Sequence, residues 1–345
     1  MPIRVAINGA GRIGRAFFNM ASKNEEVEVV AINDLAEIDN IAYLINRDSA
    51  YGRRENFISV KDDKSAFIEG EREISFFKET DPENLPWRDM DIDVVVESTG
   101  VFTKFADAEK HIKSGAKRAV ISAPAKDEPE AGRYATVLLG INEEELKDVV
   151  VSSNASCTTN AGSPPVRILH DAVGIEKALL NTVHAYTISQ SVVDSFNKKN
   201  PRLGRAAAQN IVPTSTGAAS ATTKVITDLD GKFDGIALRV PVVTGSIADI
   251  TFIASRDTTV EEINGALKDA SESDRWRGIF TTTDEPIVSS DIIGSEYGSI
   301  ADLSFTRVVG GNLVKVLAWY DNEMGYTAML LKHVIITGKY ALESK

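Results

Sequence analysis

The sequence predicts an α/β protein built on a doubly wound parallel sheet. Three observations predict it. Between Ile3 and Ser152, short β-branched runs alternate with helical stretches, the pattern of parallel strands joined by crossover helices. The first of these runs passes through a glycine turn directly into a helical stretch. The chain has 345 residues, which at roughly 150 residues per domain is length for about two domains with full cores.

Ile3 to Asn8 alternates and is rich in β-branched residues, so it reads as a strand. Gly9-Ala10-Gly11-Arg12-Ile13-Gly14 then matches G-x-G-x-x-G, Arg15 to Lys23 has helical composition, and Glu26 to Asn33 is a second strand. Asp34 ends it, 20 positions after Gly14. The glycine pattern alone is weak. With strand, helix, strand and acidic residue in order, it is the Rossmann-type fingerprint for a dinucleotide. Gly9 permits the tight turn, Gly11 lets backbone approach a pyrophosphate, and Gly14 lets helix pack on strand. The helix N-terminus offers N–H groups and its positive dipole end to the phosphates. Asp34 is placed to accept hydrogen bonds from ribose hydroxyls. Its charge repels a 2′-phosphate, which favours NAD over NADP.

Residues 54–85 hold many charges and short alternating segments, predicting a small antiparallel excursion. Ile92 to Glu97 is a further buried strand, His111 to Gly115 ends a helix, Arg118 to Ser122 is a strand, and Val149 to Ser152 another. Ligands of such sheets bind at the carboxyl ends of strands. Asp34, Thr99 and Ser122 all fall there, although ordinary loop polars would look the same.

Composition excludes several classes. There are 38 basic and 50 acidic residues, a net charge of −12, which disfavours nucleic acid or an anionic membrane as primary partner. One cysteine rules out an internal disulfide framework and a cysteine-rich zinc site, and fits a reducing compartment. No apolar run approaches the roughly 18 residues of a membrane span, and Met1 to Gly9 lacks a signal-peptide layout. A soluble cytoplasmic protein with no metal is expected.

The single cysteine, by default a small buried hydrophobe, is also the candidate nucleophile. The strand ending at Ser152 leads into Ser153-Asn154-Ala155-Ser156-Cys157-Thr158-Thr159-Asn160, and helical spacing resumes at Val166, Ile168 and Leu169. Cys157 therefore sits in the first turn of a helix. There the dipole lowers a thiol pKa and main-chain N–H groups can hold an oxyanion. No carboxylate lies between Asp148 and Asp171. Pro164-Pro165 is expected to limit or kink this helix. Of four histidines, His111 and His333 read as surface or packing residues, and His170 lies more than three turns along the cysteine helix. His184 closes the strand Ala178–Val183 and is the candidate general base.

From Ser195 to Thr227 there is no Asp or Glu, while Lys198, Lys199, Arg202, Arg205 and Lys224 are present. The same window holds Pro213-Thr214-Ser215-Thr216-Gly217. Hydroxyls, a glycine N–H and arginines suit a phosphate. Arg239 lies within the apolar strand Gly235–Pro241, where its charge needs an anionic partner such as a substrate phosphate. Intersubunit salt bridges are the other reading of this region.

Taken together, INGAGRIGR, AINDL, VVVESTGVFT, SNASCTTN, HAYT, RAAAQNIVPTSTGAA, LRVP, PIVSSD and WYDNEMGYT, in this order, resemble the phosphorylating glyceraldehyde-3-phosphate dehydrogenases over essentially the whole chain. The resemblance implies an NAD-binding Rossmann domain over 1–156, completed by a helix over 322–345. It also implies an α+β catalytic domain over 157–321 with a mostly antiparallel sheet. Cys157 would form a thiohemiacetal and then a thioester, His184 would be its base, and inorganic phosphate would release an acyl phosphate. Thr187 and Arg239 would hold the substrate phosphate. Ser156, Thr158, Thr216 and Gly217 would hold the attacking one. Gly9, Arg12, Ile13, Asp34, Thr99, Ser122 and Asn322 would contact NAD, Asn322 at the nicotinamide carboxamide. A cytoplasmic homotetramer is implied. The near alternative is the erythrose-4-phosphate dehydrogenase relative, against which Thr187 in HAYT argues. The distant alternative is a non-catalytic NAD-responsive binding protein.

The chain departs from the family pattern at Ala10, Ala161 and Met324, where an aromatic, a second cysteine and a tryptophan are usual. Leu203 stands where an arginine near the attacking phosphate is expected, and Arg202 is the candidate replacement. Ser195-Phe196 replaces the Leu-Pro of NAD-only enzymes, leaving room for some NADP use.

Overall fold

The computed structural model describes residues 1–198 and 200–343. They fall into two compact units, Met1–Ala155 with the chain from Thr327 onward, and Ser156–Tyr326.

The first unit opens with β1 (Ile3–Asn8), α1 (Arg12–Ala21), β2 (Val27–Asn33) and α2 (Ile38–Asn46). A two-stranded ribbon, β3 (Arg47–Asp48) and β4 (Gly52–Arg53), follows, then β5 (Ser59–Val60), β6 (Ala66–Glu69) and β7 (Arg72–Phe77). After β8 (Val94–Glu97) come the short helices α3 (Phe105–Ala108) and α4 (Lys110–Lys113), then β9 (Arg118–Ile121), β10 (Tyr134–Thr136) and β11 (Val151–Ser153). The main sheet has the order β10-β11-β9-β8-β1-β2-β7-β6-β5. Its pairs are parallel from β10 to β7 and antiparallel from β7 to β5. The predicted parallel sheet is present, and the charged segment forms its antiparallel extension. Val94, Val95 and Val96 are fully buried, as in strands covered on both faces. The chain leaves β1 for β2 on one side and returns to β8 on the other. That reversal opens a crevice beyond the carboxyl ends of β1 and β8.

The second unit contains α5 (Cys157–Val173), β12 (Ile175–Ala185), β13 (Val212–Ser215), α6 (Ala218–Val225), β14 (Phe233–Val240) and β15 (Ser246–Ala254). It continues with α7 (Val260–Glu272), β16 (Phe280–Thr283), β17 (Ser299–Val309) and β18 (Leu313–Tyr320), from which the chain enters α8 (Met324–Glu343). The sheet order is β13-β14-β12-β15-β18-β17-β16. Only β12·β14 and β16·β17 are parallel. Burial along β15 alternates strictly, the mark of a sheet with one packed face.

One expectation needs correction here. Pro164 and Pro165 do not stop α5, which runs 17 residues with both inside it. They are buried, as are Val166, Ile168 and Leu169 beyond them, and burial of that apolar stripe holds the helix despite two missing N–H donors. Of the surface and packing readings of His111 and His333, packing holds, because both are fully buried. The Nε2 atom of His333 lies 2.7 Å from the Ser152 hydroxyl and its Nδ1 lies 3.1 Å from Asn154 Oδ1, so α8 is bonded to β11 and the segment after it. Gly338 lets α8 approach β1, since a Cβ there would lie 2.5 Å from an Ile3 methyl.

Candidate active site

Cys157 is the first residue of α5, behind the N-cap Ser156, whose hydroxyl accepts from Thr159 N–H at 3.0 Å. The turn before it is strained, because Ala155 has φ +53°, a region costly for residues with a Cβ. Its N–H donates to the Ser153 hydroxyl, which donates to Ala123 O. The strand-to-helix junction predicted for the thiol is therefore a turn held from both sides.

His184 is the next-to-last residue of β12, and its Nε2 lies 3.4 Å from Cys157 Sγ. Parallel pairing places Arg239 of β14 directly beside it. The Nη1 atom of Arg239 lies 2.7 Å from His184 Nδ1 and donates to Ala185 O at 3.1 Å, while Nδ1 is also 2.7 Å from Ala185 O. Cysteine, histidine and arginine thus meet within one unit, from α5, β12 and β14.

The electrostatics correct one expectation. Burial pushes the Cys157 thiol up, against the pull of Arg239, the Thr158 hydroxyl and the N–H groups of Thr158 and Cys157. The helix start favours thiolate as anticipated, but desolvation outweighs it. Burial and then the Arg239 charge bring His184 down to about 3. Both shifts act in the direction of a thiol beside a neutral imidazole.

Tyr320 is a site residue that sequence reasoning missed. Its hydroxyl bonds Thr158 Oγ1 at 2.9 Å and Thr182 Oγ1 at 2.7 Å, and its ring stands edge-on to His184 at 5.9 Å. Its place at the end of an alternating strand was the available signal. The Thr158 hydroxyl is thus shared between Tyr320 and Cys157 Sγ, 4.0 Å away.

The phosphate candidates are less gathered. Arg239 has a buried Nε with no hydrogen-bond partner, a donor suited to an anion. Thr187 is half-buried, its hydroxyl 2.9 Å from that of Ser189. Thr216 accepts from Ala218 N–H, and a Cβ on Gly217 would meet open space. Since Val212 pairs with Arg239 and Ser215 with Ile236, Thr216 leaves the sheet well along the strand from Arg239. Arg202 is exposed; its main-chain N–H donates to Asn200 Oδ1 and its carbonyl accepts from Arg205 N–H. The cationic window is partly neutralised, because Arg205 pairs with Asp194, just outside it, at 2.9 Å. Lys199 lies outside the described residues.

In the first unit, a Cβ on Gly11 would meet nothing within 4 Å, and no side chain caps α1. A Cβ on Gly9 would lie 2.6 Å from Thr99 N, and one on Gly14 2.0 Å from Gly9 O. Close packing at Gly9 and Gly14 with open space at Gly11, on an uncapped helix start, fits a pyrophosphate cradle. Ile13 lies in that first turn. The Asp34 carboxylate accepts from Ala10 N–H at 2.7 Å and Ala36 N–H at 2.8 Å. The Arg12 side chain pairs with Asp48 at 2.5 Å, and the Thr99 hydroxyl is taken up by Glu97 and Val101 N–H. Ser122 is half-buried at the end of β9. Asn322 lies in the second unit, its Oδ1 accepting from Gly245 N–H and the Ser246 hydroxyl. Among the described residues, no His, Cys, Asp and Glu group could hold a metal, and no helix is long and apolar enough to cross a membrane.

Family comparisons agree with this chemistry. The profile described as glyceraldehyde 3-phosphate dehydrogenase, NAD binding domain, matches residues 3–105, and the one described as the C-terminal domain matches residues 156–322. Glyceraldehyde-3-phosphate dehydrogenase 2 of Streptomyces avermitilis is 45% identical over 341 residues, covering 98% of this chain and 99% of the relative. The Clostridium acetobutylicum enzyme is 45% identical over 343 residues with the same coverage, and that of Geobacillus stearothermophilus 44% identical over 329 residues, covering 95% and 96%. The chain belongs to the glyceraldehyde-3-phosphate dehydrogenase family.

Proposed function

We propose that this chain oxidises D-glyceraldehyde 3-phosphate with NAD and inorganic phosphate to 1,3-bisphosphoglycerate, through the residues gathered at Cys157. The observation that carries the site is Cys157 Sγ 3.4 Å from His184 Nε2, with Arg239 at the other side of the imidazole.

Sγ attacks the aldehyde carbon, and its proton passes to Nε2, within reach for general base catalysis. Nε2 returns that proton to the carbonyl oxygen, so the adduct is a thiohemiacetal and the imidazole is neutral again. His184 then takes the proton of its hydroxyl as the carbon is oxidised to a thioester. NAD, when bound, supplies the two-electron acceptor. It would be held by Gly9, Gly11, Arg12, Ile13, Gly14 and Thr99, with Asp34, Ser122 and Asn322. Inorganic phosphate attacks the thioester carbon, the acyl phosphate leaves, and Sγ recovers its proton. Arg239 and Thr187 hold the substrate phosphate. Ser156, Thr158, Thr216, Gly217 and Arg202 are assigned to the attacking phosphate, chiefly through main-chain groups where their hydroxyls are already bonded.

The reading includes a cytoplasmic homotetramer working in glycolysis or gluconeogenesis. Exposed apolar side chains support self-association: Ile188 and Phe196 are 97% and 90% exposed in the segment between β12 and β13, and Leu179, Ile236 and Phe305 lie exposed on sheet strands.

Cys157→Ser should abolish phosphate-dependent NAD reduction, and wild-type turnover in that variant would sink the proposal. Omitting phosphate should leave at most one turnover per chain. A kcat/KM for erythrose 4-phosphate above that for glyceraldehyde 3-phosphate would move the assignment to the near relative.

A further inference from the structure

Beneath the glycine loop runs a buried polar chain that the reaction does not use. Glu97, the last residue of β8, is 2% exposed, and His111 of α4 is 0% exposed. Trp87 Nε1 donates to His111 Nδ1 at 3.0 Å. An indole can only donate, so Nδ1 is an acceptor and the ring proton sits on Nε2. That nitrogen donates to Glu97 Oε2 at 3.0 Å. Asn8 Nδ2, 3.4 Å from the same ring nitrogen, donates to Glu97 Oε2 at 2.6 Å, and Asn8 Oδ1 accepts from Asn33 Nδ2 at 2.7 Å. Oε1 accepts from Thr99 N–H at 2.9 Å and from the Thr99 hydroxyl at 2.5 Å. Four donors fill the acceptor sites of one carboxylate, and a fully satisfied buried network holds a single arrangement.

The chain of bonds ends on the loop itself. Having donated to Glu97, the Thr99 hydroxyl accepts from Val101 N–H at 3.0 Å. The Ser98 hydroxyl donates to Gly9 O at 2.6 Å. Gly9 lies so close to Thr99 N that a Cβ would approach it to 2.6 Å. The glycine loop therefore rests on Ser98–Thr99, and Glu97 holds Thr99 by two bonds. Asn8, Asn33 and Glu97 end β1, β2 and β8, so the network joins the strand ends that frame the crevice.

We propose that Glu97 and His111 are positioning residues for the dinucleotide, which set the glycine loop through Thr99 without touching the ligand. The proposal rests on the reading of this unit as the NAD site.

The test compares His111→Leu, which removes both ring partners, with His111→Gln, which keeps an acceptor for Trp87 and a donor for Glu97. Glu97→Gln forms a second arm, because its NH2 must face a donor. NAD binding is measured by calorimetry on the full-length protein roughly 15 °C below each variant's Tm, with KM for NAD and for the aldehyde. His111→Leu and Glu97→Gln should raise the NAD Kd and KM by about tenfold or more, the cost of a buried partner left unpaired. KM for the aldehyde should stay within about twofold and kcat should change less than KM for NAD, while His111→Gln restores Kd to within about threefold. Wild-type NAD affinity in His111→Leu and Glu97→Gln, or losses confined to Tm, would overturn the proposal. Should those two fail to fold, Thr99→Val decides: a raised NAD Kd supports the proposal and an unchanged one overturns it. A wild-type protein that binds no NAD would instead overturn the cofactor reading.

Discussion

Arg239 Nη1 lies 2.7 Å from His184 Nδ1, because parallel pairing of β12 with β14 puts the two residues side by side. The guanidinium charge favours thiolate at Cys157 and disfavours imidazolium at His184. Removing it should shift both titrations upward. Arg239→Gln should move the pH midpoint of Cys157 alkylation by iodoacetamide to a higher value and lower kcat/KM for the phosphorylated aldehyde by about 100-fold. An unmoved alkylation profile would show that the guanidinium does not govern the thiol.

Tyr320 joins two buried threonines through one hydroxyl. Tyr320→Phe leaves the ring edge-on to His184 but strips Thr158 and Thr182 of a partner. Stability to urea should fall by about 1–3 kcal/mol. A variant as stable as the wild type would mean that both threonines find other partners.

Acid stability follows from two buried histidines. His184 and His333 are each held down to about 3 from 6.5, burial being the largest cause for both. Above pH 6.5 neither the folded nor the unfolded state binds these protons. Between pH 6.5 and about 3 the unfolded state binds them and the folded state does not, so stability falls as pH drops through that window. Each histidine adds to the decline, because the unfolded state takes up its proton first. Urea unfolding across pH 4–7 should show the decline, and His333→Gln should make it shallower by about half of the histidine contribution.

Asp34 has two tasks. Its carboxylate faces the candidate ribose site and also accepts from Ala10 N–H in the glycine loop. Asp34→Gly should raise the kcat/KM ratio of NADP to NAD by about tenfold, with weaker NAD binding as the loop loses its anchor. If the ratio is unchanged, another residue discriminates, and Ser195-Phe196 is next to test.

Much of the site was legible because its signals are local. The glycine loop, Asp34 and the Cys157 helix start follow from spacing and from the geometry of strand and helix ends. His184 could be chosen among four histidines because a nucleophile needs a base. Tyr320, the Glu97–His111 pair and the neutrality of His184 were not legible. Each depends on which residues β18, α4 or β14 bring close across long sequence separations. Desolvation of Cys157 is likewise a property of its surroundings.

The sequence by itself determined the two layers of this protein that rest on chain-local physics. These are the parallel sheet with its dinucleotide turn and the one nucleophile at the start of a helix. Only the tertiary structure decided how those parts are held. It placed Arg239 against His184, committed the hydroxyls of Thr158 and Thr99 to neighbours within the chain, and left Arg202 on the surface. The physical reason is that charge, burial and hydrogen-bond satisfaction act through space, and the register of β12 with β14 sets those distances.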